Sequence, residues 1–217
     1  MQEKASSKNV PVLVDHIHLF HPAYLALKKY VGESGKKVRW IRSAGGNHGP
    51  FRSYVSSLWD YGPHDLAMAM ELMGDKPEIL AAREENLAAS PEGAQNFQIS
   101  TEFRGGVRHE FRVGNFFEAK TRWFAVGLGD EVVIFNDLAE RKLTVVGGDH
   151  APAIEECGAA LVSQNAFPSR AIPYRPSPAL SNCLQEFVRG LQGSRDYRWG
   201  LHLGVSVVEL LEAAESL

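Results

Sequence analysis

The sequence is poor in cysteine, in long apolar runs and in excess charge of either sign. Only Cys157 and Cys183 occur in 217 residues, too few for a disulfide framework or a thiolate zinc site. Reduced thiols in a cytoplasm are therefore the expectation. No apolar run approaches the ~20 residues of a membrane-spanning helix. The opening MQEKASSKNV lacks the apolar core of a signal peptide. A formal charge of −3 gives no electrostatic reason to expect nucleic acid or an anionic membrane as partner. No GxGxxG follows a candidate strand and no GxxxxGK(S/T) is present, so the chain shows no nucleotide-binding loop of its own. No Gly-x-Ser-x-Gly elbow frames Ser56 or Ser57, and neither cysteine sits in a nucleophile pattern.

What remains is ordinary for a soluble globular chain: 44% hydrophobic and 23% charged residues. Residues 1–9 read as the last turns of a helix, and residues 10–19 as a buried strand around Val12, Leu13 and Val14. Pro22 opens a helix carrying Tyr24, Leu27 and Val31, stopped at Gly32 and Gly35. Residues 38–43 read as a strand, with Arg39 and Trp40 on opposite faces. Residues 45–54 read as a glycine-rich loop carrying Asn47, His48 and Arg52.

From residue 77 to 148 the pattern changes to antiparallel strands. Phe97, Ile99, Thr101 and Phe103 alternate with polar residues, as do Val107, His109, Phe111 and Val113. Gly105-Gly106 between the two runs signals a tight hairpin. Three more strands are predicted near 123–126, 132–135 and 143–146. Residues 147–178 read as a long loop, with a short helix at 154–162. Two amphipathic helices close the chain. The first carries Leu180, Leu184, Phe187 and Leu191. The second carries Leu203, Val207, Leu210, Leu211 and Ala214.

The chemistry centres on residues 58–74, LWDYGPHDLAMAMELMG. Gly62, Pro63, His64 and Asp65 fit the N-cap and first three positions of a helix. His64 would then lie on the first turn, where the positive end of the dipole favours neutral imidazole. Asp60, one turn back, would orient the ring. The alternative is that Asp60 caps the turn and His64 simply packs beside it. His16, His18 and His21 crowd the first predicted strand. His16 and His18 on one strand face have metal-ligand geometry in principle, and a metal hydrolase built on them would hold zinc. The competing reading is a strand end lining a cleft. Arg39, Arg42, His48 and Arg52 flank the glycine-rich stretch and could grip a carboxylate or phosphate, or serve as solvated surface charge.

The order VPVLVDHIHLFHPAY, helix, glycine-rich stretch, WDYGPHDLAMAMELMG, antiparallel sheet and GLHLGVSVVELLEAAESL resembles the glucose–fructose oxidoreductase and inositol dehydrogenase (Gfo/Idh/MocA) family of NAD(P)-dependent oxidoreductases. The resemblance implies an α+β fold. It would be a large, mostly antiparallel sheet with helices packed on one face, preceded by a remnant of a Rossmann domain. Residues 1–20 would be the last helix and strand of that Rossmann domain, and residues 21–217 a substrate-binding and oligomerisation domain. It further implies that His64 accepts the substrate hydroxyl proton while hydride goes to the nicotinamide, with Asp60 as the partner of His64. His18, His21 and Arg52 would line the substrate cleft.

The glycine-rich dinucleotide loop and the Glu-Lys-Pro segment that supplies the family's catalytic lysine are missing, and Lys4 and Lys8 lie in the wrong element. NAD or NADP is the cofactor the resemblance implies, yet tight binding to this chain alone is not expected, because no first βα turn is there to seat the pyrophosphate. The expected partners are a small polar substrate, a second copy in a homodimer or homotetramer formed through the sheet, and a separate Rossmann domain. The other functional reading is a non-catalytic binding or scaffold module of the same fold.

Overall fold

Two apolar faces alternating along the strands produce a sheet that is buried on both sides at its centre. The computed structural model describes residues 2–8, 10–87, 90–148, 150–151, 154, 167–193 and 198–217. Helix α1 (Gln2–Ser7) leads through a 3₁₀ turn (Ile17–Phe20) into α2 (Pro22–Glu33). Strand β1 (Trp40–His48) and helix α3 (Ser57–Met73) follow. Then come β2 (Glu78–Glu84), β3 (Asn96–Phe103), β4 (Val107–Gly114), β5 (Phe116–Gly127), β6 (Glu131–Asn136), β7 (Leu143–Gly147) and β8 (Arg170–Ala171). Helices α4 (Ala179–Leu191) and α5 (Arg198–Glu215) end the chain.

The described strands form one eight-stranded sheet in the order β2-β3-β4-β1-β5-β6-β7-β8. Only β1 and β4 pair in parallel. The sheet is otherwise antiparallel, as the alternation predicts. Gly105 and Gly106 make the β3–β4 hairpin with φ of +91° and +81°, a conformation that favours glycine. Along β5 the period of two is plain: Phe124 and Val126 join the core under α2, α3 and α5, while Trp123 and Ala125 join Trp40, Val132 and Ile134 on the other face. Tyr24 of α2 is fully buried, and its hydroxyl donates to the Met68 carbonyl at 2.6 Å, tying α2 to α3.

Four expectations change. Residues 10–16 pair with no described strand and run into the 3₁₀ turn. An apolar run becomes a strand only with a neighbour to complete its ladder. Leu13 and Val14 instead lie against Gly200 and Gly204 of α5, where an added Cβ would strike them. The glycine-rich stretch is largely strand, since β1 runs to His48. A side chain at Gly45 would fill the space of the Arg122 guanidinium, and one at Gly46 would strike the Phe117 ring and the Gly114 carbonyl.

Helix α3 begins at Ser57, not at Pro63. Ser56 is the N-cap, its Oγ accepting from the Leu58 amide at 3.2 Å, and the Ser57 amide donates to Gln95 Oε1 at 3.1 Å. Pro63 therefore stands inside the helix. Helix α4 forms as predicted, but its apolar stripe points outward: Leu180, Leu184 and Leu191 are 55%, 56% and 52% exposed, while Cys183 and Gly190 face inward. The helix predicted at 154–162, and Cys157 with it, lies outside the described residues apart from residue 154.

Candidate functional site

His64 sits two turns into α3, so the free amides of a helix N-terminus do not surround it. Its ring meets His18 of the 3₁₀ turn edge to face, with centroids 4.9 Å apart and planes at 88°. Nδ1 is buried and makes no hydrogen bond among the described residues. Burial lowers the His64 pKa to about 4, helped by the Arg122 charge and then by His16. The ring is thus neutral near pH 7, through desolvation and a nearby cation instead of the helix dipole. His18 is lowered further, to about 3, by burial and then by Arg122 and His64, against the pull of Asp137.

The other predicted residues divide into two groups. Asp60 does not reach the His64 ring as a hydrogen-bond partner. Its carboxylate accepts from Arg52 Nη1 at 2.9 Å, in a half-exposed pair. Asp60 and Arg52 are brought together, and so are His18 and His64. His21 has a structural post: Nδ1 caps α2 by accepting from the Ala23 amide at 3.1 Å, and Nε2 lies 3.3 Å from Asp137. The His21 hydrogen bond, followed by Lys142, holds the Asp137 carboxyl far below the usual range against the effect of burial. His16 is buried with Nε2 unpartnered. It stands before the 3₁₀ turn, so the shared strand face assumed for His16 and His18 does not arise. Among the described residues no three His, Cys, Asp or Glu side chains are grouped to hold a metal ion. His48 Nδ1 donates to the Phe117 carbonyl, and Arg42 pairs with Glu110 on the far side of the sheet.

Sequence reasoning missed the polar groups beneath α3. Asp65 is 1% exposed and accepts from Arg122 Nη1 at 3.0 Å, an ion pair in the core and not an acid near a helix start. The signal was present: Arg122 shares a strand face with Phe124 and Val126, so period two places it inward.

A dinucleotide needs backbone amides to receive its pyrophosphate. At the start of α3 the amides of Ser57 and Leu58 are already bonded to Gln95 and Ser56. These residues do not fit an NAD(P) phosphate site.

No protein-family model matches the sequence, and no curated protein does. Solved structures match nearly all of it. A protein of Magnetospirillum magnetotacticum MS-1, assigned to the oxidoreductases, superposes with a TM-score of 0.80 and 30% identity over 97% of this chain and 65% of its own. The aldose–aldose oxidoreductase of Caulobacter crescentus gives 0.75 and 16% over 99% of this chain and 63% of its own. KijD10, a 3-ketoreductase of Actinomadura kijaniata solved with NADP, gives 0.74 and 13% over 99% and 64%. This chain thus has the fold of the C-terminal domain of Gfo/Idh/MocA-type oxidoreductases. It spans a little under two thirds of the length of these three proteins. Among the described residues no helix is long and apolar enough to cross a membrane.

Proposed function

We propose that the chain is the substrate-handling part of an NAD(P)-dependent oxidoreductase acting on a hydroxyl or carbonyl of a sugar, cyclitol or similar small polar molecule, in the cytoplasm. The observation that carries this reading is His64, a buried neutral imidazole with an unpartnered Nδ1, set against His18. Such a ring can take a proton from a substrate hydroxyl or return one to a forming alkoxide. Asp60 and Arg52 stand on the exposed side of the same helix start, where they suit polar substrate groups.

Residues 1–20 belong, in this proposal, with a dinucleotide-binding domain, and residues 21–217 form the substrate domain. Two features support a further layer at this end of the molecule. Residues 10–16 form neither helix nor paired strand, and the apolar stripe of α4 is uncovered among the described residues. Asp15 lies in contact with Cys183 on the inward side of α4, so the segment and the helix are neighbours in the fold. Copies of the chain associate through the sheet face that carries Arg42 and Glu110.

His64→Ala, made in an enzyme completed with its dinucleotide-binding domain, should lower turnover by about 10²–10⁴. A wild-type rate would remove His64 from the mechanism. Titration of the isolated chain with NADH and NADPH, followed by nicotinamide fluorescence, should give no micromolar binding. Tight binding would overturn the assignment of the phosphate site to another domain.

The second reading, a non-catalytic scaffold of the same fold, is favoured by one observation: Asp60 is engaged by Arg52, and among the described residues His64 has no acidic hydrogen-bond partner. It predicts that His64→Ala changes neither turnover nor substrate affinity of the completed assembly.

A further inference from the structure

A buried polar row runs beneath α3 across three strands. His109 on β4, Ser43 on β1 and Arg122 on β5 face the helix among apolar neighbours, and Asp65 meets them from α3. Ser43 Oγ lies 2.9 Å from His109 Nε2. Arg122 Nη1 donates to Asp65 Oδ2 at 3.0 Å, and Ser43 also bonds Asp65. None of the four is more than 9% exposed. A buried ion pair adds little net stability over apolar residues of equal volume, so its presence in a core calls for another use. The sheet is shaped to admit it: Gly45 gives up its side chain where the guanidinium crosses β1. Asp65 follows His64 directly in the chain, so the ion pair ties down the turn of α3 that carries the ring.

We infer that Arg122 is a positioning residue of the His64 site: anchored by Asp65 across Gly45, it fixes α3 over the sheet and sets a permanent positive charge under the helix turn that carries the ring. The inference rests on the reading of His64 as proton acceptor. The groups around the ring are few. His16 and His18 approach from the segment before α2, Arg122 from β5, and Asp60 and Asp65 from α3 itself, while His21 and Asp137 lie beyond His18. Asp60 is held by Arg52. Of the buried ion pair, Arg122 is the member whose charge acts on His64, and it acts on His18 as well.

The test is a histidine-ring NMR titration of the full chain, run in sucrose to hold the native state at acid pH, with His64 assigned through His64→Gln and its midpoint taken from the onset of ring protonation over the pH range where the amide spectrum stays native. Wild type is compared with Arg122→Met, Arg122→Lys and Asp65→Asn. Arg122→Met should raise the His64 midpoint by about one pH unit, the order expected when one nearby like charge is removed. Arg122→Lys keeps the charge and should keep the wild-type midpoint. Asp65→Asn should not raise it. A purely structural ion pair predicts otherwise: every one of these variants would loosen the core, admit water and move the midpoint up together. An Arg122→Met protein with a native amide spectrum and an unchanged midpoint overturns the inference. So does a rise shared by Arg122→Lys and Asp65→Asn, and that pair decides the matter if Arg122→Met does not fold. The titration is indifferent to turnover, so it can fail while the His64→Ala experiment succeeds, and the reverse.

Discussion

Four histidines held neutral by burial set an acid limit on this fold. Desolvation lowers His16 and His64 to about 4, and His18 and His109 to about 3. In the unfolded chain each titrates near 6.5. The folded values lie below the unfolded ones, so the unfolded state binds more protons once the pH drops through about 6.5, and stability falls with it. At about pH 5 each histidine costs about 2 kcal/mol relative to neutral pH, and the four together about 8 kcal/mol. That rivals the whole stability of a typical domain, ~5–15 kcal/mol.

Two carboxyls modify the total. Burial raises Asp65 above its ordinary value in spite of Arg122, so as the pH falls it takes up its proton earlier in the folded chain than in the unfolded one, which offsets part of the loss. Asp137 is depressed by His21 and Lys142 and adds to the loss only as the pH falls through the ordinary carboxylate range. Urea unfolding at a series of pH values, followed by tryptophan fluorescence and far-UV circular dichroism, measures the effect. Between about pH 6 and 5 the slope should correspond to about three to four protons, or about 4–5 kcal/mol per pH unit. His16→Leu should reduce it by about one proton. A wild-type slope below about one proton, ~1.4 kcal/mol per pH unit, would refute the burial argument.

Other substitutions probe separate parts of the molecule. Tyr24→Phe deletes the buried bond to the Met68 carbonyl and should cost about 1–2 kcal/mol, read as a fall in Tm with the fold retained. Gly114→Ala places a Cβ 2.8 Å from the Asn96 Cα, where backbone must move, and should cost about 1–3 kcal/mol in urea unfolding. Leu180→Gln with Leu184→Gln changes two residues that are more than half exposed. Stability of the chain alone should stay within about 0.5 kcal/mol at each site, while association with a dinucleotide-binding domain, followed by gel filtration, should weaken. A Tm collapse in the isolated chain would show that its own residues cover the stripe.

The local pattern made much of this fold legible. Strict alternation marked β3 and β4, Gly105-Gly106 marked their turn, and Pro22 marked the start of α2. Gly74, at φ +66°, closed α3 where the sequence placed its end. The start of α3 was misplaced because its cap is partly tertiary: Gln95, 38 residues away, supplies one acceptor. The glycines of β1 read as a loop because nothing local reveals that the Arg122 side chain and the Phe117 ring cross over them.

For the candidate site, residue types and their spacing pointed to Asp60 and His64, because a helix-forming stretch carries its chemistry in local order, and the family resemblance added His18, His21 and Arg52. Which of them meet was decided by tertiary structure alone. Packing of the 3₁₀ turn against α3 sets His18 on His64, and the bend of the chain after β1 gives Asp60 to Arg52. Period and turn chemistry, being properties of neighbouring residues, determined the strands and helices. The neutral state of His64 depends on burial and on Arg122, 58 residues further along, and only the folded sheet brings that charge beneath the helix.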